Sequence, residues 1–276
     1  MEFVKIGDLT FPKVGLGTYP LKGGPLLSAL DCAVNNGYGL IDTAYKYNNE
    51  TEIGNFLCDH RCSAVVQTKF SVKQLSYKKF LWLKYSKKTT TDAINGSIDR
   101  LQKKCLDVYL LHSPSKGYVD YYGDLMRFRE QGKVKIIGVC RFDERQLQDI
   151  KDKCGEYPAI NQIEVHPYHS NKRLIAFCKE KGIAIEARSL FTHGDALKEF
   201  LQSKQLKDIA ADCNKTVPQV IIRWTVQQGL IAIVKSGTPK NIKENIEVFD
   251  FSLSDSQMER IDEMNRDLSF GCVSKF

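Results

Sequence analysis

Eight short runs of aliphatic and β-branched residues recur along this chain, and they constrain its fold more than any other feature. Each run has the composition of a parallel strand that is buried on both faces. Between them lie stretches with apolar residues at helical spacing. Eight strand–helix units of this kind predict a closed (α/β)8 TIM barrel. The predicted strands are 14–17, 39–43, 64–68, 107–111, 136–139, 160–163, 183–187 and 231–234, and the predicted helices include 26–36, 90–104, 123–131, 143–153, 171–181 and 204–213.

The first residues predict an additional element. Residues 4–6 and 9–11 are apolar runs on either side of Gly7-Asp8, a turn dipeptide, and this pattern is typical of a β-hairpin. Because the first barrel strand is expected to begin at residue 14, the hairpin would close the bottom of the barrel. We find no linker, repeat or low-complexity tract, so residues 1–276 are expected to form one domain.

The composition is that of an ordinary globular protein. Of 276 residues, 42% are hydrophobic and 26% are charged, which excludes disordered, collagenous and coiled-coil classes. No apolar run approaches the roughly 18 residues of a spanning helix, and the N-terminus lacks a secretory pattern, so we expect a cytoplasmic protein without membrane contact. The nine cysteines are odd in number and form no Cys-x-x-Cys pair, which favours free thiols.

The formal net charge of +7 raises the question of a nucleic-acid partner. Residues 73–88 interleave lysines with aromatic residues, as a nucleic-acid-binding strip would. The same pattern is typical of a helix that packs its aromatic residues inward and leaves its lysines solvated. We favour the helix, and we expect no nucleic-acid partner and a monomeric protein.

Four chemically distinctive residues lie at or after the ends of predicted strands, where barrel enzymes carry their active sites: Asp42, Tyr47, Lys69 and His112. A phenol is a weak acid at neutral pH, but an adjacent ammonium lowers its pKa. We therefore expect Lys69, held by Asp42, to activate Tyr47 as a proton donor, and His112 to orient a carbonyl oxygen. Because no side chain supplies hydride, carbonyl reduction would require a redox cofactor.

Several motifs resemble those of one known family in order and spacing. They are Gly15-Leu16-Gly17-Thr18, Asp42-Thr43-Ala44-Tyr45-x-Tyr47-x-Asn49-Glu50, Thr68-Lys69, Leu111-His112-x-Pro114, Gly132-Lys133-Val134-x-x-Ile137-Gly138-Val139, Asn161-Gln162-Ile163-Glu164-x-His166-Pro167 and Lys235-Ser236. With them the chain resembles the aldo-keto reductases, in particular short-loop microbial members, from about residue 3 to residue 265. The resemblance implies an (α/β)8 barrel that reduces aldehydes or ketones, with NADPH preferred and NADH possible. It also implies that Asp42, Tyr47, Lys69 and His112 form the catalytic tetrad.

The same resemblance implies a cofactor site. Gln162 would hold the nicotinamide carboxamide, Lys235 and Ser236 the 2′-phosphate, and Glu244 and Asn245 the adenine. The loop 189–194 would cover the pyrophosphate. The expected cofactor-binding residues are Gly17, Thr18, Asp42, Cys140, Arg141, Gln162, Arg188, Ser189, Leu190, Lys235, Ser236, Thr238, Asn241, Glu244 and Asn245.

Three places depart from the family pattern. Cys140-Arg141 replaces Ser-Asn, Arg188 replaces an aromatic residue under the nicotinamide, and Asn241 replaces an arginine at the 2′-phosphate. A guanidinium can stack on a ring, but its charge would disfavour oxidised nicotinamide. Arg188 would then favour reduction or anchor an acidic substrate; alternatively, it turns toward solvent or a phosphate. The loss of arginine at position 241 predicts weaker discrimination against NADH.

The residues of the substrate pocket are predicted from position alone, and the alternative for each of them is a place in the core or at the rim. The candidate residues are Tyr19, Pro20, Phe70, His112, Ser113, Phe270 and Cys272.

Two other functions remain open at this point. One is a nicotinamide-binding regulatory or interaction barrel with little turnover, which the altered cofactor positions favour. The other is a metal-dependent hydrolase that uses His166, His169 and His193, although the first strand lacks the usual His-x-His pair. We expect no metal.

Overall fold

The computed structural model describes residues 1–75, 89–192 and 194–270. Within these ranges, eight parallel strands follow one another around a closed barrel, and the last pairs with the first. An antiparallel hairpin of two strands precedes them. The strands are β1 (Phe3–Ile6), β2 (Leu9–Pro12), β3 (Val14–Gly17), β4 (Leu40–Asp42), β5 (Val65–Phe70), β6 (Leu106–Leu111), β7 (Val134–Cys140), β8 (Ile160–Glu164), β9 (Ala184–Arg188) and β10 (Ile231–Lys235).

Close packing inside the barrel explains one glycine in β7. A Cβ atom at Gly138 would lie 2.6 Å from the carbonyl oxygen of Ile160 and 2.8 Å from Leu110 Cδ2. Only glycine allows the neighbouring strand to approach this closely.

Helices surround the barrel, and several begin at capping boxes. Thr89, Asp143, Thr216 and Ser254 each accept a hydrogen bond from the third residue of the following helix, whose side chain accepts one in return. No helix in the described ranges is both long enough and apolar enough to cross a bilayer. The helices are α1 (Gly23–Asn35), α2 (Glu50–Asp59), α3 (Thr90–Leu101), α4 (Tyr118–Glu130), α5 (Glu144–Cys154), α6 (Lys172–Glu180), α7 (Gly194–Gln202), α8 (Lys204–Asp212), α9 (Val217–Gln227), α10 (Pro239–Ile246) and α11 (Asp255–Asp262).

The predicted barrel is confirmed, and each predicted strand agrees with an observed one to within two residues. The hairpin is also confirmed: Ile6 and Phe11 pack against Val108, Ile136 and Ile231 and close the bottom of the barrel. Helices α2, α7, α9, α10 and α11 were not among the predicted helices. The basic and aromatic segment 73–88 lies mostly outside the described residues, so its helix stays a prediction.

Candidate active site

Asp42 and Lys69 form a buried ion pair where β4 and β5 end. Lys69 Nζ lies 2.5 Å from Asp42 Oδ1 and donates a second hydrogen bond to the backbone oxygen of Thr43 at 2.9 Å. The lysine side chain is 0% exposed. Burial opposes the ammonium form, but the Asp42 carboxylate outweighs it and raises the pKa of Lys69. Asp42 therefore holds Lys69 charged and fixed in place.

Tyr47 lies beside this pair at the end of a 3-10 turn, Tyr45–Tyr47, that follows β4. Lys69 Nζ is 5.2 Å from the centre of the phenol ring. Burial raises the pKa of Tyr47, and although the Lys69 charge opposes this effect, the net pKa is above the ordinary value. The expected lowering by the Lys69 ammonium is present, but the cost of burying a phenolate is larger. Tyr47 therefore carries its proton at neutral pH.

His112 follows β6 and faces Tyr47 edge-on, with ring centres 5.9 Å apart and an interplanar angle of 82°. Its backbone N–H donates to the Phe70 carbonyl at 2.9 Å. Burial and the nearby Lys69 charge lower the pKa of His112 to about 2. The imidazole is therefore neutral. Its Nδ1 atom is buried, and no described residue bonds it.

Three further cations act on the His112 ring: Lys46, Arg141 and Arg188. Arg141 directly follows β7, with a left-handed backbone at φ +71°. The Nε atom of Arg141 is buried and has no hydrogen-bond partner in the described part of the chain. The carboxyl ends of the strands therefore form an electropositive mouth, which suits an anionic ligand.

Arg188 is held inside this mouth and does not turn out to solvent. Its side chain is 19% exposed, and its Nη1 donates to Ser189 Oγ at 3.0 Å. Its Nη2 lies 3.9 Å from Glu164 Oε2. Although burial opposes ionisation, hydrogen bonds from His166 and the backbone N–H of Phe270, with the charge of Arg188, lower the pKa of Glu164 to about 2. Glu164 therefore remains a carboxylate and compensates Arg188.

Gln162 belongs to a buried polar network that the sequence reasoning missed. Its Nε2 donates to Asp42 Oδ1 at 3.0 Å and to Glu186 Oε2 at 2.8 Å, and Gln67 Nε2 donates to the same two oxygens. Cys140 Sγ donates to Gln162 Oε1 at 3.7 Å. A signal for the two overlooked residues was present, since Gln67 stands two positions before Lys69 and Glu186 two before Arg188. Residues two apart share a face of a strand.

The residues expected to bind the 2′-phosphate and the adenine of the cofactor lie on β10, on α10 and in the short connection between them. Lys235 ends the strand and is exposed, and Ser236 Oγ accepts from the Thr238 backbone N–H at 3.1 Å. On α10, Asn241 is exposed, Glu244 is half-buried and Asn245 is buried. Glu244 and Asn245 follow Asn241 by three and four positions, so both lie on the same helix face as Asn241.

Other expected cofactor residues occupy supporting positions. Thr18 is fully buried, and its hydroxyl donates to the Asp42 carbonyl oxygen at 2.9 Å, so its side chain helps to position Asp42. Gly17 ends β3 beside Lys235. Of the predicted strap, Ser189 has a left-handed backbone at φ +58° and Leu190 is buried.

The substrate candidates separate into mouth and core. Tyr19 is 60% exposed, with its ring centre 5.0 Å from that of Tyr47; Pro20 is exposed and Ser113 half-buried. Phe70 does not line the mouth, contrary to the prediction: it is 1% exposed and packs in the core with Tyr109 and Tyr121. The reason is that Lys69 faces the barrel interior, so the next side chain points outward. Phe270 is half-buried beside His166, with ring centres 5.5 Å apart, and Cys272 lies outside the described residues.

Two other regions lie apart from this mouth. The rings of His166 and His169 are 6.0 Å apart, and the described residues contain no group of three or more His, Cys, Asp or Glu side chains arranged to hold a metal. His193, the third residue of the hydrolase alternative, is not among them. A surface groove between α1 and α2, lined by residues such as Leu27 and Phe56, lies on the outer flank of the barrel.

Comparisons with known proteins agree with this geometry. The model of the aldo/keto reductase family matches residues 13–266. The chain belongs to this family. The 2,5-diketo-D-gluconic acid reductase B of a Corynebacterium species is 36% identical, over 93% of this chain and 90% of its own length. Glyoxal reductase of Bacillus subtilis is 34% identical, over 94% and 91%.

A solved structure of a Gox0644 mutant in complex with NADPH superposes with a TM-score of 0.85 at 32% identity, covering 96% of this chain and 94% of the other. As an aldo-keto reductase, the protein is an oxidoreductase that reduces aldehydes or ketones with hydride from a reduced nicotinamide cofactor.

The residues present fit such a cofactor. A phosphate-bearing dinucleotide needs cationic and N–H donors, and the buried Nε atoms of Arg141 and Arg188 have no acceptor among the described residues. Gln162 supplies an amide on the strand between them. The basic mouth therefore matches the charge and the hydrogen-bonding needs of this aldo-keto reductase's cofactor.

Proposed function

We propose that Tyr47 donates the proton in carbonyl reduction by this protein. When bound, the reduced nicotinamide supplies hydride to the carbonyl carbon. The carbonyl oxygen then gains negative charge, and Tyr47 Oη gives it a proton. The observation that carries the proposal is the buried Asp42–Lys69 pair beside a tyrosine that keeps its proton at neutral pH.

The other tetrad residues serve this transfer. Lys69 stabilises the phenolate that forms on Tyr47, because its ammonium lies near the ring and is fixed by Asp42. His112 is neutral, so one ring nitrogen can donate a hydrogen bond to the substrate oxygen without carrying charge. Its position edge-on to Tyr47 would place the substrate oxygen between the two rings.

We further propose that the cofactor is preferentially NADPH. Lys235 and Ser236 would hold the 2′-phosphate at the end of β10, while Glu244 and Asn245 on α10 would contact the adenine. The exposed Asn241 supplies no guanidinium, so we expect NADH to be used as well, at lower efficiency. Gln162, Cys140 and Arg141 would surround the carboxamide.

The proposed substrates are small carbonyl compounds that enter between Tyr19, Ser113 and Phe270. Two relatives are named for reducing glyoxal and a diketo-gluconic acid, which supports a first panel of small, polar dicarbonyl compounds. We propose that the protein acts as a cytoplasmic monomer without a nucleic-acid partner.

The test is to follow oxidation of NADPH, and separately of NADH, with a panel of aldehydes and ketones. Tyr47→Phe is the matched control because it removes only the hydroxyl. We expect turnover with NADPH that falls by about 10²-fold or more in the variant. Cofactor binding without turnover of any carbonyl would contradict the proposal and favour a regulatory barrel.

A further inference from the structure

The polar network around Gln162 forms a closed hydrogen-bonded ring across the barrel interior. Two amide nitrogens, Gln67 Nε2 and Gln162 Nε2, each bridge the same two oxygens, Asp42 Oδ1 and Glu186 Oε2, over distances of 2.6 to 3.0 Å. The side chains come from β5, β8, β4 and β9. All four residues are at least nine-tenths buried. Most barrel interiors are filled at such a layer by branched aliphatic side chains.

The ring fixes which way the Gln162 amide points. Both of its neighbours in the ring are carboxyl oxygens that accept hydrogen bonds, so the amide atom facing them must be the NH2 group. Its two hydrogens are then both used. Only Oε1 remains to contact a ligand, and it lies on the side of Cys140.

We propose that Glu186 and Gln67 are positioning residues that make Gln162 a pure hydrogen-bond acceptor for the cofactor. Glu186 occupies one hydrogen of the Gln162 amide, and Gln67 holds Glu186 and Asp42 at the spacing the ring requires. Gln162 Oε1 then accepts from the NH2 of the nicotinamide carboxamide and sets the orientation of that group. This inference rests on the proposed cofactor site.

The charges around Glu186 agree with this role. Its titratable neighbours are Asp42 and Lys69, and burial with the nearby Asp42 charge raises the pKa of Glu186 to about 7. Glu186 Oε1 and Gln67 Oε1 are both buried without a donor among the described residues. A proton on Glu186 would add no second negative charge beside Asp42.

The test compares two oxidised nucleotides that differ at the carboxamide. NADP⁺ carries an NH2 group there, whereas its 3-acetylpyridine analogue carries a methyl group and cannot donate. Calorimetric dissociation constants are measured without substrate for the wild type, Glu186→Gln and Glu186→Met. We expect the wild type to bind NADP⁺ about tenfold more tightly than the analogue, the effect of one hydrogen bond. Glu186→Gln keeps an acceptor and should keep this ratio. In Glu186→Met the ratio should fall, because Asp42 is then the one remaining acceptor of the two that hold the Gln162 amide.

Each other outcome has a distinct meaning. An unchanged ratio in Glu186→Met would overturn the role of Glu186, and a wild-type ratio near one would overturn the proposed orientation of Gln162. Failure of the wild type to bind either nucleotide would overturn the proposed cofactor site itself. If Glu186→Met does not fold, Gln67→Met, which removes the second bridge, is expected to lower the ratio, and an unchanged ratio there would equally refute the positioning role.

Discussion

Replacing Glu186 with glutamine should stabilise the protein at alkaline pH and leave its stability unchanged in acid. Glu186 is 0% exposed, and burial raises the pKa of its carboxyl from 4.5 to about 7. Because the folded pKa is the higher one, folding favours the protonated acid. That contribution is complete below about pH 4.5 and is lost as the pH rises through about 7. A difference of about 2.5 between the two pKa values corresponds to about 3 kcal/mol of unfolding free energy.

Urea unfolding between about pH 5 and pH 8 measures this effect, with fluorescence of the buried Trp224 as one reporter. The glutamine variant should gain up to about 3 kcal/mol relative to the wild type over this range. Glu263→Gln is the matched control, because it makes the same chemical change at an exposed surface position. A constant difference between Glu186→Gln and the wild type would refute the reasoning that Glu186 is protonated in the folded protein.

Three further predictions concern the mouth of the barrel. Arg188→Tyr should strengthen binding of the oxidised cofactor more than that of the reduced one, by less than the roughly 4 kcal/mol of an uncompensated charge pair because Glu164 lies nearby; equal changes in both dissociation constants would contradict this. Asn241→Arg should raise the preference for NADPH over NADH by about tenfold, measured as the ratio of kcat/KM values, and an unchanged ratio would show that position 241 does not reach the 2′-phosphate. NMR titration of His112 should show a neutral ring from about pH 5 to pH 8, and an imidazolium transition in that window would be inconsistent with its lowered pKa.

The barrel could be predicted from the sequence because its evidence is local. A strand buried on both faces appears as a short aliphatic run, and a covering helix as a stretch with helical periodicity. Strand alternation is equally local, so the outward direction of Phe70 followed from the inward direction of Lys69 and could have been predicted. The candidate tetrad is predictable for the same reason, since strand ends converge in any barrel.

The polar ring could not be predicted in the same way. Gln67 and Glu186 are 119 positions apart, and their contact depends on the register of strands on different sides of the barrel. Alternation places each side chain inside the barrel but does not say which oxygen it reaches. The direction of the Tyr47 pKa shift could not be predicted for a similar reason. The effect of Lys69 follows from its proximity, whereas the larger effect of burial depends on the whole surrounding structure.

The Glu164 carboxylate explains how the barrel accommodates arginine at position 188. Besides lying 3.9 Å from Arg188, it accepts hydrogen bonds from Ser269 Oγ at 2.9 Å and from the Phe270 backbone N–H at 2.8 Å, and it contacts His166 Nε2 at 3.1 Å. Removing Arg188 would therefore leave the carboxylate with several partners, whereas removing Glu164 would leave a mostly buried guanidinium without the carboxylate that lies 3.9 Å away. The two substitutions should therefore affect different parts of the site. Changing Arg188 alters mainly the charge that faces the cofactor, and changing Glu164 also removes the acceptor that holds Ser269 and Phe270.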